Sequence, residues 1–409
     1  MAGGGKGGKR GINTQLAHSG NDPHAYFGWV NPPVVHGSTV LFPDAATMKA
    51  TQVRNADATS RSRVQPYTYA TYGSPTTDAL CEAVNALEGS AGTILVPSGL
   101  AAVTVPLLAF LSAGDHVLIV DTVYYPTRRF ADTMLARMGV EVEYYLPEIG
   151  ADIATLFRDN TKVVFMEAPG SNTFEIQDVP AMTAAAKERG IVTMIDNTWA
   201  TPLFFKPLDH GVDISIHAAT KYPGGHSDVI MGMVSANAAT WGQLYNTQVA
   251  LGTCGAPDDA YLVLRGLRTM GIRLERHQKT TLALARWLED MAKEPGSIVG
   301  DVLYPALESF PGHDLWKRDF CGACGIFSFV IKDGTEAQAH AFLDALELFG
   351  LGYSWGGYES LVTHVYLKDR TVSARDHGGE VIRLQIGLED EIDLRADIER
   401  GLAAAKAAG

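Results

Sequence analysis

From about residue 80 onward, short β-rich apolar runs alternate with helix-like stretches, and this alternation constrains the fold more than any other feature. The apolar runs are Ile94–Val96, His116–Val120, Lys162–Met166, Val192–Ile195 and Ile214–Ile216. Helical segments such as Gly99–Leu111, Thr127–Met138 and Ala181–Arg189 lie between them. Near-continuous apolar strands joined by crossover helices predict a mostly parallel sheet covered on both faces. Ligands of such α/β sheets bind beyond the carboxyl ends of the strands, so the chemistry is expected just after each run.

The flanking segments divide the rest. Residues 11–70 are rich in Pro, Asn, Thr and Ser and show little period, which suggests an extended arm stabilised by another subunit. Pro257 opens a long helical stretch that leads into a smaller C-terminal unit. There, Gly325–Ile331 and Val381–Ile386 read as strands and Ala337–Leu348 and Leu394–Ala405 as helices. The expected organisation is an arm over 1–73, an α/β domain over 74–270 and an α+β domain over 271–409. A chain of 409 residues is long enough for more than one domain.

Several function classes are excluded by composition. With 33 Lys and Arg against 46 Asp and Glu, and no basic run beyond the first ten residues, no footprint for nucleic acid or an anionic membrane is present. Gly89–Gly114 lacks charge over a span-like length, but Pro97, Ser98, Gly99, Thr104 and Pro106 interrupt it. It reads as a strand, a tight turn and a helix. Four cysteines and no apolar leader suit a reducing, cytoplasmic setting. Cys321 and Cys324 have redox or zinc spacing but no second pair, so they read as two buried thiols and no metal is expected. Gly3-x4-Gly8-Lys9 imitates a phosphate loop, yet Arg10 stands where Ser or Thr belongs and no strand precedes it. A flexible tail is the better reading.

Three strand ends carry chemistry. In SIHAATKYPGGHSD, Lys221 follows an apolar strand and precedes a glycine turn, where burial would lower its amine pKa and permit a Schiff base with an aldehyde. A surface lysine, or one that binds phosphate or carboxylate, fits the same spacing. In VTMIDNTW, Asp196 closes a strand; alone it would be a turn residue, but beside Lys221 it could protonate a pyridine nitrogen. The turn Ser98-Gly99-Leu100 offers unpaired N–H groups and a helix dipole to a phosphate.

These strings, with VPSGLAAV, FMEAPGSNTFE, GLRTMGIRLERH, YSWGGYESL and VIRLQIGLED, resemble the Cys/Met-metabolism group of pyridoxal-phosphate enzymes over about residues 15–405. The resemblance implies an aspartate-aminotransferase-like fold (fold type I) and homotetramers built from pairs of active dimers. It implies pyridoxal 5'-phosphate as cofactor and a small sulfur amino acid as substrate. By that likeness Lys221 holds the cofactor covalently, Asp196 pairs with the pyridine nitrogen and Tyr124 stacks on the ring. Ser98, Gly99, Leu100 and Thr220 contact the phosphate, Ser171 lies near the ring oxygen, and Tyr69 reaches the phosphate of the neighbouring subunit. Arg383 and Ser354 hold the substrate carboxylate, with Tyr353 and Trp355 beside it.

Departures from the pattern matter too. Thr71 stands where relatives usually carry an arginine, and a hydroxyl cannot reproduce a bidentate guanidinium grip; Arg61 and Arg63 are nearby substitutes. Ala218 replaces a serine and Ser171 an asparagine common among relatives. Trp355 favours β-elimination, implying conversion of L-cystathionine to homocysteine, pyruvate and ammonia, with cysteine desulfhydration as a side reaction. The same Trp could be a core residue beside a glycine pair. The alternatives are γ-elimination or γ-substitution on cystathionine or a homoserine ester, and a non-catalytic binding or scaffold protein. Lys221, Asp196 and Arg383 together at strand ends argue against the last.

Overall fold

The structure is a computed structural model that describes residues 10–55, 67–373 and 375–409. Arg61, Arg63 and the glycine-rich start fall outside the described residues. Seven strands form the larger sheet: β1 Gly92–Val96, β2 His116–Val120, β3 Glu141–Tyr145, β4 Thr161–Glu167, β5 Val192–Asp196, β6 Ile214–Ala218 and β7 Gly232–Ala236, in the order β1-β7-β6-β5-β4-β2-β3. All pairings are parallel except the two made by β7. Because β7 is antiparallel to both β1 and β6, those two run the same way. The carboxyl ends of β1, β2, β4, β5 and β6 therefore share one edge of the sheet.

Local chemistry explains the elements. Strands β1 and β2 are buried along their whole length, which is why their sequences are continuous apolar runs. The helix Pro75–Glu88 begins with Pro75 behind a reciprocal cap between Ser74 and Thr77 and ends at left-handed Gly89. The uncharged stretch resolves into β1, a turn and the helix Gly99–Phe110, whose cap is the Ser98 hydroxyl accepting from Ala101 N–H. No helix among the described residues is long and apolar enough to cross a membrane.

The helix Pro257–Ala292 runs unbroken between the two sheets, so the expected boundary at 270/271 falls inside it. Beyond it, β8 Val299–Leu303, β9 Ile326–Lys332, β10 Gly350–Leu351, β11 Leu361–Val365 and β12 Gly379–Gln385 form a second sheet in the order β10-β11-β12-β9-β8. The helices Glu336–Asp344 and Glu391–Ala407 accompany it.

Three expectations need correction. The segment 11–70 is not uniformly extended: Ile12–His18 is a helix anchored in its own subunit. Leu16 of that helix is buried, and Arg268 donates to the carbonyls of Leu16 and Ser19 and to Asn21 Oδ1. The helix expected over Thr127–Met138 begins at Tyr125 and widens into a π-helical turn over Ala131–Leu135. Of the cysteine pair, Cys324 is buried but Cys321 is exposed, its thiol donating to the Leu203 carbonyl; both are free.

Candidate active site

The shared strand edge gathers the groups singled out in the sequence. Ser98 follows β1, Tyr124 follows β2, Asp196 ends β5 and Lys221 lies just past β6. They line a cleft of about 310 Å³ together with Gly99, Leu100, Ser171 and Thr220, while Tyr353, Trp355 and Arg383 enter from the C-terminal unit. Ser354 joins through the Lys221 ammonium, which donates to its Oγ over 2.9 Å. Tyr69 is the exception. It does not line this cleft, being half-exposed and bridged to Thr39 on the arm. Thr71 lines a separate small hollow with Tyr72, Gln248 and Cys254.

Burial gives Lys221 its chemistry. Loss of hydration, with the Arg383 charge as a second cause, pulls its amine from 10.5 down to about 8 against the opposing pull of Asp196. The Trp355 ring centre lies 5.3 Å from the nitrogen. That approach needs glycine next in the chain: Gly356 has φ +84°, and a Cβ there would sit 2.9 Å from Tyr222 N and 3.0 Å from the Lys221 carbonyl carbon.

The same cleft holds two partly buried acids. Asp196 is raised, chiefly by burial, although Thr198 donates to it from its backbone N–H at 3.0 Å and its hydroxyl at 2.5 Å. Among the described residues it forms no ion pair, so a cationic N–H placed against it would recover what burial costs. Glu167, at the end of β4, is pushed well above the carboxylate range by burial and by Asp196. Its Oε2 accepts from Tyr124 N–H at 2.8 Å and so fixes the turn that presents the tyrosine. The phenol of Tyr124 is itself raised, by burial first and by Asp196 and Glu167 next, and is neutral near pH 7.

The far end suits a dianion. The N–H groups of Gly99 and Leu100 begin a helix and have no hydrogen-bond partner among the described residues. This turn presses against the next strand so closely that a Cβ on Gly232 would lie 2.3 Å from the Ser98 carbonyl oxygen. The hydroxyl of Thr220 accepts from Met231 N–H at 3.1 Å, which fixes its position at the cleft edge.

Arg383 is a partly buried cation, lowered to about 10 by desolvation. Its Nη1 donates to Asn172 Oδ1 at 3.0 Å and its Nη2 to the Tyr353 carbonyl at 2.9 Å, both neutral acceptors. A partly buried guanidinium with no carboxylate partner among the described residues is a ready site for a ligand carboxylate. Sequence reasoning missed Glu167, Thr198 and Asn172. Glu167 repeats the strand-end acid of Asp196 and could have been found by that rule. Thr198 and Asn172 looked like turn residues and carry no separate signal.

An amine near neutrality, an unpaired raised acid, free helix N–H groups and an unpaired guanidinium in one cleft fit pyridoxal phosphate and an amino-acid substrate. The comparisons agree. The family model described as "Cys/Met metabolism PLP-dependent enzyme" matches residues 13–403. The chain is 65% identical over 401 residues to a Rhizobium johnstonii protein named "Putative cystathionine beta-lyase", covering 97% of each. It is 42% identical over 400 residues to the Escherichia coli cystathionine beta-lyase MetC, covering 96% of this chain and 98% of that one. Among solved structures, the cystathionine gamma synthase of Xanthomonas oryzae pv. oryzae in complex with aminoacrylate and cysteine superposes with a TM-score of 0.87 at 33% identity. That match covers 98% of this chain and 100% of that one. With strand-end geometry, cleft chemistry and likeness over nearly the full length in agreement, this chain belongs to the Cys/Met-metabolism family of pyridoxal-phosphate-dependent enzymes.

Proposed function

We propose that the protein is a carbon–sulfur lyase that cleaves L-cystathionine by β-elimination, with water, to homocysteine, pyruvate and ammonia. The observation that carries this is the Lys221 amine, lowered to about 8 and held between Ser354, Trp355 and the acid side of the cleft. When bound, pyridoxal phosphate supplies an electron sink for the bond broken at Cα.

The chain's own residues do the rest. Arg383 binds the substrate carboxylate, exchanging its contacts with Asn172 and the Tyr353 carbonyl for a charge-assisted pair, and thereby orients the Cα–H bond. Lys221 Nζ takes the Cα proton, for which a pKa near 8 is well matched, and can return it to the leaving sulfur. Ser354 Oγ holds that nitrogen in line. Asp196, steadied by Thr198, would keep a proton on the ring nitrogen, while the Gly99 and Leu100 N–H groups would take the phosphate. Tyr124 would cover the ring, and Glu167 sets the tyrosine's position through its N–H. Trp355 walls the cleft beside Lys221 and limits how the distal arm of the substrate can lie, which favours removal of the β-sulfur.

Tyr69 does not line the cleft of its own chain, so its contribution to the phosphate would come from a second copy. This reading takes residues 1–73 as an inter-subunit arm, residues 74–270 and 271–409 as the two folded domains, and a cytoplasmic homotetramer as the assembly. The test is the product pair formed from L-cystathionine by the cofactor-loaded protein. Pyruvate with homocysteine is expected; 2-oxobutyrate with cysteine would overturn the β-assignment.

A further inference from the structure

On the outer side of the C-terminal sheet, three ligand-type side chains converge away from the cleft. Glu336, His340 and His364 each present one oxygen or ring nitrogen, and these atoms all lie within 4.8 Å of one another. Glu336 and His340 are one helical turn apart on the helix Glu336–Asp344, the spacing that puts two side chains on one face; their Oε1 and Nε2 are 3.8 Å apart. His364 is supplied by β11.

Two features set this apart from a solvated charge cluster. The His364 side chain is 5% exposed, and its Nε2 is 2.6 Å from Glu380 Oε2 on β12. If Nε2 carries the proton to Glu380, the lone pair belongs to Nδ1, which is buried with no hydrogen-bond partner among the described residues. A carboxylate behind a ligating imidazole is the usual support for a metal-bound histidine. Second, Tyr366 donates to Glu336 Oε1 at 2.8 Å, orienting the carboxylate that His340 faces.

From this geometry we infer a binding site for a divalent transition-metal ion of the zinc class, with His340, His364 and Glu336 as ligands and Glu380 as the support of His364. Two imidazoles and one carboxylate are a borderline-soft donor set that suits zinc and disfavours magnesium or calcium. Bonds of about 2.0–2.1 Å in tetrahedral geometry separate ligand atoms by about 3.4 Å, so the present spacing closes with rotamer adjustment of the half-exposed Glu336 and His340. Water completes the coordination.

The ion would clamp a helix to the two strands behind the substrate site. His364 pairs with Ile382 and Thr363 with Arg383, so His364 and Glu380 occupy the sheet face opposite Arg383. The role is therefore bracing of β12, not chemistry.

The experiment is equilibrium dialysis of Zn²⁺ against the cofactor-loaded, untagged protein, with melting temperature followed alongside. The expected result is one Zn²⁺ per subunit at micromolar affinity, undisplaced by millimolar Mg²⁺, and a higher melting temperature. His340→Ala and Glu336→Gln, both at exposed positions, should each weaken binding more than 10-fold and abolish the melting shift. Glu380→Gln should weaken it about 10- to 100-fold. No saturable binding, or equal binding by wild type and His340→Ala, would overturn the assignment, the latter placing the ion elsewhere, such as at the exposed Cys254 or Cys321.

Discussion

Between pH 7 and 9 the amine of Lys221 should change its protonation state while surface lysines remain ammonium ions. In the cofactor-free protein burial lowers this pKa from 10.5 to about 8. At pH 8 half of the Lys221 amines are then neutral, against about 0.3% for a lysine titrating at 10.5, a difference of about 160-fold in reactive form. The assay is acetic anhydride labelling of cofactor-free protein at a series of pH values, with each lysine-containing peptide quantified by mass spectrometry. The shape of the profile is read, so restricted access to the cleft does not matter. A midpoint near 8 for Lys221 with other lysines still rising above pH 9 is expected. A Lys221 profile that tracks the surface lysines would refute the burial argument and remove the basis for its role as base. The linkage has a definite sign: the fold disfavours the charged form, so the deficit is fully present below pH 8 and relieved as pH rises from 8 to 10.5. Its size is about 3 kcal/mol from a shift of this length.

Three further outcomes are expected. Arg383→Leu removes two charged hydrogen-bond donors and should lower kcat/KM for L-cystathionine by about 10² to 10⁴, while the cofactor absorbance remains; a loss below 5-fold would exclude Arg383 as the carboxylate site. Gly356→Ala forces a side chain into left-handed backbone 2.9 Å from Tyr222 N and should lower stability by about 1–3 kcal/mol, read as a fall in melting temperature. Asp121 accepts N–H groups from Thr371, Val372 and Ser373 and pairs with buried Arg128. Asp121→Ala should cost about 3–5 kcal/mol by leaving Arg128 unpaired, and should speed proteolysis around residues 371–373. The Asp121 pKa is depressed by those N–H groups despite burial. Its stabilisation is therefore present above the ordinary carboxylate range and lost as pH falls through the folded value.

How much of this was legible in the sequence depended on which force fixed each element. Strands buried on both faces, such as His116–Val120, announce themselves because burial demands an unbroken apolar run. The edge strand Glu141–Tyr145 did not, because it is partly exposed and its EVEYY pattern carries charge. Gly232–Ala236 escaped for a different reason: its first residue is chosen for the close approach of the Ser98 turn and not for strand propensity. The same division holds in the cleft. Lys221 and Asp196 were readable as isolated polar residues at apolar strand ends. Asn172 was not, because its meaning comes from Arg383, 211 residues away and on the other sheet. The helix at Ile12–His18 was hidden likewise, since Arg268 caps it from a distant segment.

The charges of the cleft are arranged for ligands and not for one another. Lys221 and Arg383 are partly buried cations; Asp196 and Glu167 are acids raised by desolvation. None of the four forms an ion pair among the described residues. A fold selected for stability alone would pair or delete such groups. On the proposed function three of them would be matched by something the ligands bring: a carbonyl carbon for the lysine, a ring N–H for Asp196 and a carboxylate for Arg383, while Glu167 accepts the Tyr124 N–H. The desolvation already spent on these groups is thus recovered only on binding, which makes the cleft pre-organised and the ligand-free protein weaker than its core would allow. Cofactor addition should therefore raise the melting temperature by more in wild type than in Asp196→Ala. An equal rise in both would mean that the ring nitrogen gains nothing from Asp196.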